Sequence, residues 1–417
     1  PSVTPVRGAG YPQGCFAMER LMDKAAATLG IGRDEIRRRN FIQPGDMPYT
    51  RPLASRADPA IVIDEADFPK CMESALEISD WKNFPARKAA AAAEGRLLGI
   101  GVASYLKGSG RGPFEAATVR VGPSGRINVT SGVSAIGQGT RTMLAQIVAQ
   151  GLGVDMADID VTIGDTSTIP YGMGAASSRQ TVNAGSSAQA AAREVREKAL
   201  RVAAHILEAA VDDLELVDGR VRVKGVPGMS VGLGDIAGQL AGAATGFALP
   251  AGETPGLESH MAVQIDGLAF SNGCHVAEVE VDPGTGEVHI VNYVIAHDCG
   301  VMVNPLVIDG QVTGGAAHGI GFAMFEKMIW DDQAQPQSTN LAEYLIPGAV
   351  EVPNVTIEHI VVPSSQNPLG VKGVGESGLV PVPAVLASAI DDALSERGVR
   401  ILDIPVGPSD ILAKLRA

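Results

Sequence analysis

A single carboxylate in a glycine-rich stretch is the residue whose type and surroundings best suit it for chemistry. Glu376 lies in the run 367–378, among four glycines and a proline. Glycine allows positive φ and close backbone approach, so this run predicts a tight loop against a ligand or another backbone. A carboxylate buried among apolar neighbours becomes a better general base near neutral pH. The alternative is that Glu376 caps the helix predicted over 382–394.

Two further stretches have the composition of anion-binding loops. Arg7 stands among glycines and prolines in residues 1–14, where a guanidinium is a fixed donor fork for an oxyanion or phosphate. An arginine that simply closes the loop is the alternative. Small residues and hydroxyls at 174–180 come just before a long helix predicted over 183–212. Their backbone N–H groups are a candidate oxyanion nest.

Composition limits the class of protein. The chain has 417 residues, of which 19% are charged and 45% hydrophobic, with 50 glycines and a formal net charge of −14. These values predict a large globular protein of two or three domains with many tight loops. The acidic balance argues against nucleic acid as a partner, since the one basic run is Arg37-Arg38-Arg39. We interpret that run as the solvated end of a short helix.

Cysteine spacing and apolar runs narrow the choice further. The four cysteines show no C-x-x-C spacing, which argues against an iron–sulfur cluster or structural zinc and favours buried thiols in a reducing, cytoplasmic compartment. No apolar run appears long enough to span a bilayer. The segment Gly99-Ile100-Gly101 does not complete a dinucleotide-binding motif because Ser104 replaces its third glycine. We interpret His297-Asp298-Cys299 as a hydrogen-bonded strand end rather than a zinc site.

The order of predicted elements gives an α+β fold with mixed sheets and packed helices. Residues 119–129 resemble 279–290, and each stretch reads as a strand, a Pro/Gly turn and a second strand. A glycine loop and a helix follow each hairpin, the first helix over 140–152 and the second running to Met328, which indicates a weak internal repeat. Leu214 to Lys224 is predicted to be a hairpin turning on Asp218-Gly219, and the Gly/Ala-rich segment 225–258 an irregular surface insertion.

The glycine loops, taken in order, resemble the molybdopterin-binding large subunit of the xanthine oxidase and aldehyde oxidoreductase family of molybdenum hydroxylases. The matching stretches are Arg7 to Gln13, Glu19 to Asp23, Arg37 to Asp46, Gly137 to Gly139, Ala176 to Gln180, Asp298 to Gln311 and Gly373 to Glu376. With matches from Arg7 to Leu415, the resemblance covers essentially the whole chain. It implies two related lobes of a molybdopterin-binding domain, with residues 1–70 ending the first lobe and 71–417 forming the second.

The resemblance also implies roles for individual residues. Glu376 would be the catalytic base, and Ala9 and Tyr105 would line the substrate pocket. Cofactor binding would fall to Arg7, Gly8, Ile136, Gly137, Gln138, Ala176, Ser177, Ser178, Arg179, Gln180, Gln311 and Gly375. Within that set, residues 176–180 would hold the pterin and its phosphate through backbone donors. Molybdenum would take its sulfurs from the pterin, so no protein side chain is expected to bind the metal.

The implied activity is hydroxylation of an electron-poor carbon of an N-heteroaromatic or aldehyde, with oxygen from water. The pterin would be in the mononucleotide or the cytosine dinucleotide form. Electrons would leave through a 2Fe-2S subunit and a FAD subunit. Family subunits of full length carry a further lobe with a G-G-x-F-G loop that residues 1–417 lack, so a second polypeptide carrying that N-terminal half is expected to complete the site.

Three positions depart from the family pattern. Ala9 stands where purine-hydroxylating members carry an aromatic residue, which predicts a differently shaped pocket. His318 stands where glutamine is usual. Gly8 stands at the position after the arginine where carbon monoxide dehydrogenases carry a cysteine, which disfavours that activity. A second hypothesis is a molybdenum-free structural or hydrolytic relative in which Glu376 activates water directly, and a metal assay separates the two.

Overall fold

The chain forms two compact units. A computed structural model describes residues 4–51, 61–112, 114–169, 171–242 and 246–416. Unit 1 comprises Pro1–Ser109, Ala269–Ser365 and Lys372–Ala417, and unit 2 comprises Gly110–Leu268 and Gln366–Val371. These units follow a different division from the predicted lobes, 1–70 and 71–417, which remain a prediction.

Helices and strands are interspersed along the described residues. The helices are α1 (Tyr11–Leu29), α2 (Arg33–Asn40), α3 (Phe68–Ile78), α4 (Phe84–Ala93), α5 (Thr140–Leu152), α6 (Ser186–Leu207), α7 (Leu233–Leu240), α8 (Pro305–Ile320), α9 (Val382–Leu394) and α10 (Pro408–Arg416). The strands are β1 (Tyr49–Arg51), β2 (Ile61–Ile63), β3 (Leu97–Ser109), β4 (Ala116–Val121), β5 (Ile127–Ser131), β6 (Ile159–Ile163), β7 (Leu214–Val217), β8 (Arg220–Val223), β9 (Val226–Gly232), β10 (Leu257–Ala262), β11 (Ala269–Val281), β12 (Val288–Asp298) and β13 (Val355–Ile360). The predicted α+β class is confirmed.

Unit 1 is built on a mixed sheet with the order β13-β12-β11-β3. Strand β11 is antiparallel to β3 and β12, and β13 runs parallel to β12. Helix α9 packs closely on β3 because two glycines admit its backbone. A Cβ at Gly99 would lie 2.1 Å from the Ala389 carbonyl oxygen, and one at Gly101 would lie 2.2 Å from that of Val385. The glycines of the incomplete dinucleotide motif therefore serve helix-to-sheet packing.

Unit 2 repeats this topology. Its main sheet has the order β10-β4-β5-β6, with β4 antiparallel to β10 and β5, and β6 parallel to β5. In each unit a hairpin is followed by a helix and a parallel strand: β4, β5, α5 and β6 in unit 2, and β11, β12, α8 and β13 in unit 1. A long buried helix comes next, α6 or α9. The predicted internal repeat is confirmed within each sheet.

The described residues of 225–258 include regular elements, so the prediction of an irregular insertion is wrong. It contains β9, which completes a small sheet with β7 and β8, then α7 and the start of β10. Leu233, Ile236 and Leu240 of α7 are buried, and this apolar face escaped notice among the surrounding glycines and alanines. The hairpin on Asp218-Gly219 is confirmed, with both residues at positive φ, 49° and 69°.

The ends of two long helices also differ from the prediction. The helix predicted over 183–212 is a π-helical turn, Gln180–Gly185, leading into α6. The helix expected to reach Met328 stops at Ile320 and ends in a second π-helical turn, Gly321–Phe325. Such turns often occur near functional positions, and the first of them contains Gln180.

The stretch Ser377–Arg397 has the length and composition of a membrane span, which the sequence interpretation overlooked. Within unit 1, however, 94% of its most apolar window is buried. Helix α9 forms most of this stretch and packs on β3 and β11 in the main core of the unit.

The basic run 37–39 is not simply a solvated face. Arg37 is 2% exposed, and its guanidinium donates to Glu19 Oε2 at 2.7 Å and to Asp23 Oδ1 at 3.0 Å. The Ser388 hydroxyl of α9 donates to the other oxygen of Asp23 at 2.6 Å. The interpretation was wrong for Arg37 because the number of cations in the run does not tell which of them faces α1. Arg39, with a side chain 62% exposed, does lie at the surface.

The four cysteines are unpaired in the structure. Cys71, Cys274 and Cys299 are buried, and Cys15 is partly buried. Burial raises the pKa of the Cys274 and Cys299 thiols to about 12. Thiols of this kind are inert packing groups at neutral pH.

Candidate active and cofactor site

The segment 373–379, here called the Glu376 loop, turns the chain towards α9. Glu376 precedes a 3₁₀ turn, Ser377–Leu379, and its side chain makes no capping hydrogen bond to that turn. The Ser377 hydroxyl holds the loop from inside, with the Ser271 hydroxyl at 2.9 Å and the Gly373 carbonyl at 3.2 Å. The Glu376 side chain is 14% exposed. The capping interpretation is therefore wrong.

Two donors from remote segments hold the Glu376 carboxylate. The Gly8 N–H donates to Oε1 at 3.1 Å, and the Lys107 ammonium forms an ion pair with Oε2. The expected apolar surroundings are therefore wrong, because a cation lies against the carboxylate. Sequence reasoning missed Lys107 although a signal existed: it is the one charged residue in the 13-residue strand β3.

Arg7 joins the N-terminal loop to the Glu376 loop and to α8. Its Nε donates to the Gly375 carbonyl at 2.6 Å, and one terminal nitrogen donates to the Gln311 carbonyl at 2.9 Å and to Gln311 Oε1 at 3.2 Å. Burial lowers the pKa of Arg7, an effect that the Glu376 carboxylate opposes. The structure thus brings together Arg7, Gly8, Gln311, Gly375 and Glu376, all of them predicted site residues.

The loop that carries Arg7 has an unusual backbone. Gly8, Ala9 and Gly10 have φ values of 98°, 44° and 93°. Positive φ is uncommon for alanine and costs energy, so Ala9 is held in place by its neighbours. Its N–H donates to the Val6 carbonyl at 2.9 Å, and its side chain is exposed. A substrate-pocket role for Ala9 remains a prediction.

Glycines also fix the Glu376 loop against α8. A Cβ at Gly378 would lie 2.4 Å from the Val312 carbonyl oxygen, and a Cβ at Gly315 would lie 2.9 Å from the Gly378 carbonyl carbon. No larger side chain fits at either position without moving backbone. Glu376 and Gln311 are therefore held at a fixed separation by direct backbone packing.

A buried ion pair anchors the start of the Glu376 loop. The side chains of Lys372 and Asp298 are both 0% exposed, with Nζ 2.5 Å from Oδ2. The other Asp298 oxygen accepts the Gly300 N–H at 2.8 Å, and the Lys372 N–H donates to the Cys299 carbonyl at 2.8 Å. These contacts account for Asp298 and Gly300 in the matching stretch Asp298 to Gln311, because they tie the end of β12 to the loop that carries Glu376.

Tyr105 lies two residues before Lys107 on the same face of β3, where alternate side chains point the same way. The residue is 5% exposed, and its ring meets His275 edge to face with centroids 5.9 Å apart. Burial raises the pKa of Tyr105 well above its usual value. Tyr105 thus lies in the interior of unit 1, and its assignment to the substrate pocket remains a prediction.

His318, the second departure from the family pattern, lies seven residues after Gln311 on α8. Its ring meets that of Phe322 with centroids 4.7 Å apart. Burial lowers the pKa of His318, an effect that Glu326 opposes and Arg7 reinforces. Burial therefore favours the neutral form of this ring.

Unit 2 carries the remaining predicted positions. Gln138 Nε2 and the Thr140 hydroxyl each donate to Gln180 Oε1 at 2.6 Å, and Gln180 Nε2 donates to the Ser134 carbonyl at 2.6 Å. Gln138 Oε1 accepts the Ile136 N–H at 2.7 Å. The two amides therefore shape the glycine loop 136–139 from within.

The tips of the two unit 2 loops are open. Ile136 is 80% exposed, and a Cβ at Gly137 would meet nothing within 4 Å among the described residues. In the other loop Ala176 is exposed, and Ser177 and Ser178 have positive φ of 50° and 48°. Both tips present backbone at the surface of unit 2, which is the arrangement that backbone donors to a ligand need.

Arg179 differs from its neighbours because its side chain is used inside unit 2. Both Arg179 and Glu115 have side chains 1% exposed, and they form an ion pair. The guanidinium also donates to the carbonyls of Arg111 at 2.6 Å and Phe114 at 2.7 Å. Any contact of Arg179 with a cofactor therefore falls to its backbone.

The described residues contain no group of three or more His, Cys, Asp or Glu side chains arranged to hold a metal ion. His297 is buried, and neither of its ring nitrogens has a hydrogen-bond partner in the described part of the chain. Its ring packs on His359 with centroids 4.8 Å apart, and burial lowers the pKa of His297 to about 3. The expected hydrogen bonding is therefore wrong for His297, whereas it holds for Asp298.

Comparison with known proteins identifies the family. A family model described as "molybdopterin cofactor-binding domain" matches residues 74–353, and a second model of the same description matches residues 1–41. The chain belongs to this family. It is 37% identical to the gamma subunit of the 6-hydroxypseudooxynicotine dehydrogenase complex of Paenarthrobacter nicotinovorans, over 99% of this chain and 52% of the relative.

Two other proteins give the same result. The nicotine 6-hydroxylase large subunit of Paenarthrobacter nicotinovorans is 34% identical, over 97% of this chain and 50% of its own length. Among solved structures, quinoline 2-oxidoreductase from Pseudomonas putida 86 superposes with a TM-score of 0.89 at 35% identity, covering 98% of this chain and 52% of that one. The resemblance to molybdenum hydroxylase large subunits is confirmed. The chain spans about half the length of the curated relatives it matches.

Proposed function

We propose that this chain supplies the catalytic base and part of the cofactor site of a molybdenum-dependent hydroxylase. The observation that supports this most is the cluster on unit 1, where a carboxylate, a guanidinium and an amide from three remote segments meet. Glu376, Arg7 and Gln311 are joined there through contacts of 2.6 to 3.2 Å. They occupy the positions that the family resemblance assigns to catalysis and cofactor binding.

The donor set suits a molybdopterin cofactor. Amide and guanidinium donors and exposed backbone loops bind phosphate and pterin groups. A metal held by sulfurs of the pterin needs no protein ligand. In unit 1, Arg7 and Gln311 are the side chains that would bind such groups. In unit 2, considered by itself, the backbone of 136–138 and 176–180 offers donors of the kind that such groups need. When bound, molybdopterin with molybdenum supplies the water-derived oxygen and accepts two electrons.

Glu376 acts as the general base in this proposal. Replacing a C–H hydrogen by hydroxyl with water as oxygen source releases two protons and two electrons, so a base must accept a proton while oxygen is transferred. The Glu376 carboxylate is fixed by the Gly8 N–H and by Lys107. Arg7 holds the Gly375 carbonyl directly before it. These contacts keep the base in one orientation for proton transfer.

The substrate class follows from the relatives named above. Nicotine and quinoline contain nitrogen heteroaromatic rings, whose carbons next to nitrogen are electron-poor. We therefore propose an N-heteroaromatic substrate in preference to an aldehyde. The small, exposed Ala9 supports a pocket wider than one that stacks a purine, so xanthine should be a poor substrate.

The electrons need carriers that this chain does not supply. We propose a 2Fe-2S subunit and a FAD subunit as partners, together with a polypeptide that carries the other half of the relatives' large subunit. A cytoplasmic location belongs to the same proposal, because four unpaired thiols suit a reducing compartment.

The test begins with the native complex. Molybdenum and iron are measured per copy of this chain, co-purifying chains are identified by mass, and turnover of quinoline, nicotine, benzaldehyde and xanthine is assayed in ¹⁸O-labelled water with an artificial acceptor. We expect about one molybdenum per copy and ¹⁸O in the heteroaromatic product. An intact complex without molybdenum, or product oxygen that does not come from water, would contradict the proposal.

A further inference from the structure

Lys107 places an ammonium group in a strand that otherwise carries no charged side chain. On β3 it lies opposite Ser271 of β11, and its side chain is 1% exposed. Removing an ammonium from water is costly unless a partner compensates. Methionine or leucine would meet the packing requirement of such a strand, so the charge at this position needs its own explanation.

The partner of this ammonium is the Glu376 carboxylate. Lys107 pairs with Oε2, while the Gly8 N–H donates to Oε1 at 3.1 Å. The terminal torsion of a glutamate side chain is otherwise broad. With each oxygen held by a donor from a different segment, the carboxylate plane is fixed.

Lys107 is itself held in place. Its Nζ lies 5.6 Å from the centroid of the Tyr11 ring, a favourable cation–π contact. The Gly108 N–H donates to the Tyr11 hydroxyl at 3.2 Å, and the Ser271 hydroxyl donates to the Lys107 carbonyl at 3.2 Å. The ammonium is therefore a fixed point on a rigid sheet and not a mobile surface charge.

Among the described contacts of Glu376, Arg7 and Lys107 are both cations, and their contacts differ. Arg7, on the N-terminal loop, binds the Gly375 carbonyl and interacts with Glu376 through its charge. Lys107, on β3, touches the carboxylate itself. Orientation of the carboxylate therefore depends on Lys107, whereas Arg7 fixes the backbone before it.

We propose that Lys107 is a positioning residue that sets the orientation and the charge state of Glu376. This inference rests on the proposed function, in which Glu376 is the base, and deepens it by assigning a role to Lys107, which acts through its ion pair with Glu376. An adjacent ammonium favours the ionised carboxylate. Lys107 therefore keeps Glu376 competent as a base at lower pH than the carboxylate alone would allow.

The kinetic test compares three variants of the purified complex: Lys107→Met, Lys107→Gln and Lys107→Arg. We expect the Met and Gln variants to lower kcat about tenfold to hundredfold. In both, the acidic limb of the kcat/KM profile should move up by about one pH unit or more. Lys107→Arg should keep the acidic limb near its wild-type position because it retains the charge. Molybdenum content should match wild type in all three.

Lys198 supplies a matched control. It is a buried lysine of α6 in unit 2 whose Nζ donates to the Thr254 carbonyl at 3.0 Å. Lys198→Met removes a buried ammonium whose described contacts are with Thr254 and not with the Glu376 loop, so any fall in stability should leave the pH profile unchanged. A shifted acidic limb in Lys198→Met would overturn the assignment to Lys107.

A double-mutant cycle gives a readout that needs no turnover. Glu376→Gln alone leaves the Lys107 ammonium buried without its counter-charge, whereas the double variant with Lys107→Met removes both charges. We expect the unfolding midpoint of the double variant to be at least as high as that of Glu376→Gln. Additive losses would overturn the pairing.

Each failure can be attributed to one of the two proposals. A Lys107→Met complex with kcat within about twofold of wild type and an unchanged acidic limb overturns the role of Lys107. If that variant does not assemble, the other two variants decide. Lys107→Gln should shift the acidic limb and Lys107→Arg should not, and an unshifted limb in Lys107→Gln overturns the role of Lys107. A wild-type complex without molybdenum, or a fully active Glu376→Gln complex, overturns the proposed function, while the cycle still reports whether Lys107 and Glu376 interact.

Discussion

The two units share one topology but differ in the chemistry of equivalent loops. In each unit, a hairpin, a helix and a parallel strand precede a loop that leads into a long buried helix. In unit 1 that loop carries Glu376, which is held by Lys107 and a backbone N–H. In unit 2 it carries Gln180, whose amide is satisfied by Gln138, Thr140 and the Ser134 carbonyl.

This difference indicates that the same topology serves a different chemical role in each unit. A carboxylate can accept a proton, whereas an amide held by three hydrogen bonds can only support a loop. Unit 2 keeps its charge inside, in the ion pair of Arg179 and Glu115. Unit 1 places charge at the loop itself. We therefore expect acid–base chemistry to depend on unit 1, whereas both units use polar contacts to fix the shape of their loops.

The first prediction makes unit 1 resemble unit 2. Glu376→Gln replaces the base by an amide of the same shape, and we expect kcat to fall by about 10²- to 10⁴-fold, the usual contribution of a general base. Molybdenum content measured on the same preparation should stay at its wild-type value, because the Arg7 and Gln311 contacts remain. Turnover at a wild-type rate would show that Glu376 is not the base.

The second prediction compares the buried ion pairs of the two units. Arg179→Met leaves Glu115 buried without its cation, and Lys372→Met does the same to Asp298, so each should cost about 3 to 5 kcal/mol. Hydrogen exchange followed by peptide should locate the loss in β4 to β6 for Arg179→Met and in β11 to β13 for Lys372→Met. Arg39→Ala, at a residue whose side chain is 62% exposed, should cost less than about 0.5 kcal/mol. Equal effects from all three variants would contradict the comparison.

The sequence predicted what local pattern and spacing encode. Strands, turns and glycine loops predicted the α+β class, the repeated hairpins and the candidates Arg7 and Glu376, and the family resemblance added Gln311. It could not give the partners of those residues, because the ion pair of Lys107 with Glu376 depends on tertiary packing across 269 positions. The interpretation of Arg37 was wrong for the same reason, since helix periodicity alone does not tell which arginine meets Glu19 and Asp23.

The third prediction concerns pH and compares two buried histidines of unit 1 with two exposed histidines of unit 2. Burial lowers the pKa of His275 and of His297 in unit 1 to about 3, whereas His205 and His260 in unit 2 are exposed. Between about pH 6.5 and 3 the unfolded chain binds more protons at each buried ring than the folded chain does. Their stabilising contribution is therefore full above about pH 6.5 and is lost as the pH falls towards 3, by about 1.4 kcal/mol per pH unit for each ring.

A variant isolates one of these rings. His297→Leu should reduce the slope of unfolding free energy against pH by about 1.4 kcal/mol per pH unit between pH 4 and 6, measured by hydrogen exchange in β12. His289→Gln, at a side chain 69% exposed, should leave the slope unchanged. A slope in His297→Leu equal to that of wild type would mean that His297 is already protonated in the folded state.

The fourth prediction is the reciprocal exchange, which makes unit 2 resemble unit 1. In Gln180→Glu the oxygens can still accept from Gln138 and Thr140, but the donor to the Ser134 carbonyl, now 2.6 Å away, is lost and two oxygens face each other. We expect a loss of about 1 to 3 kcal/mol in unit 2, seen as faster hydrogen exchange in Gln180–Gly185. Gln180→Met, which also removes the donor but adds no charge, should cost less.

Because the loop of unit 2 has no cation corresponding to Lys107 among its described contacts, the new carboxylate should not restore turnover to a Glu376→Gln complex. Recovery of turnover there would mean that topology, and not the local ion pair, determines which loop carries the base.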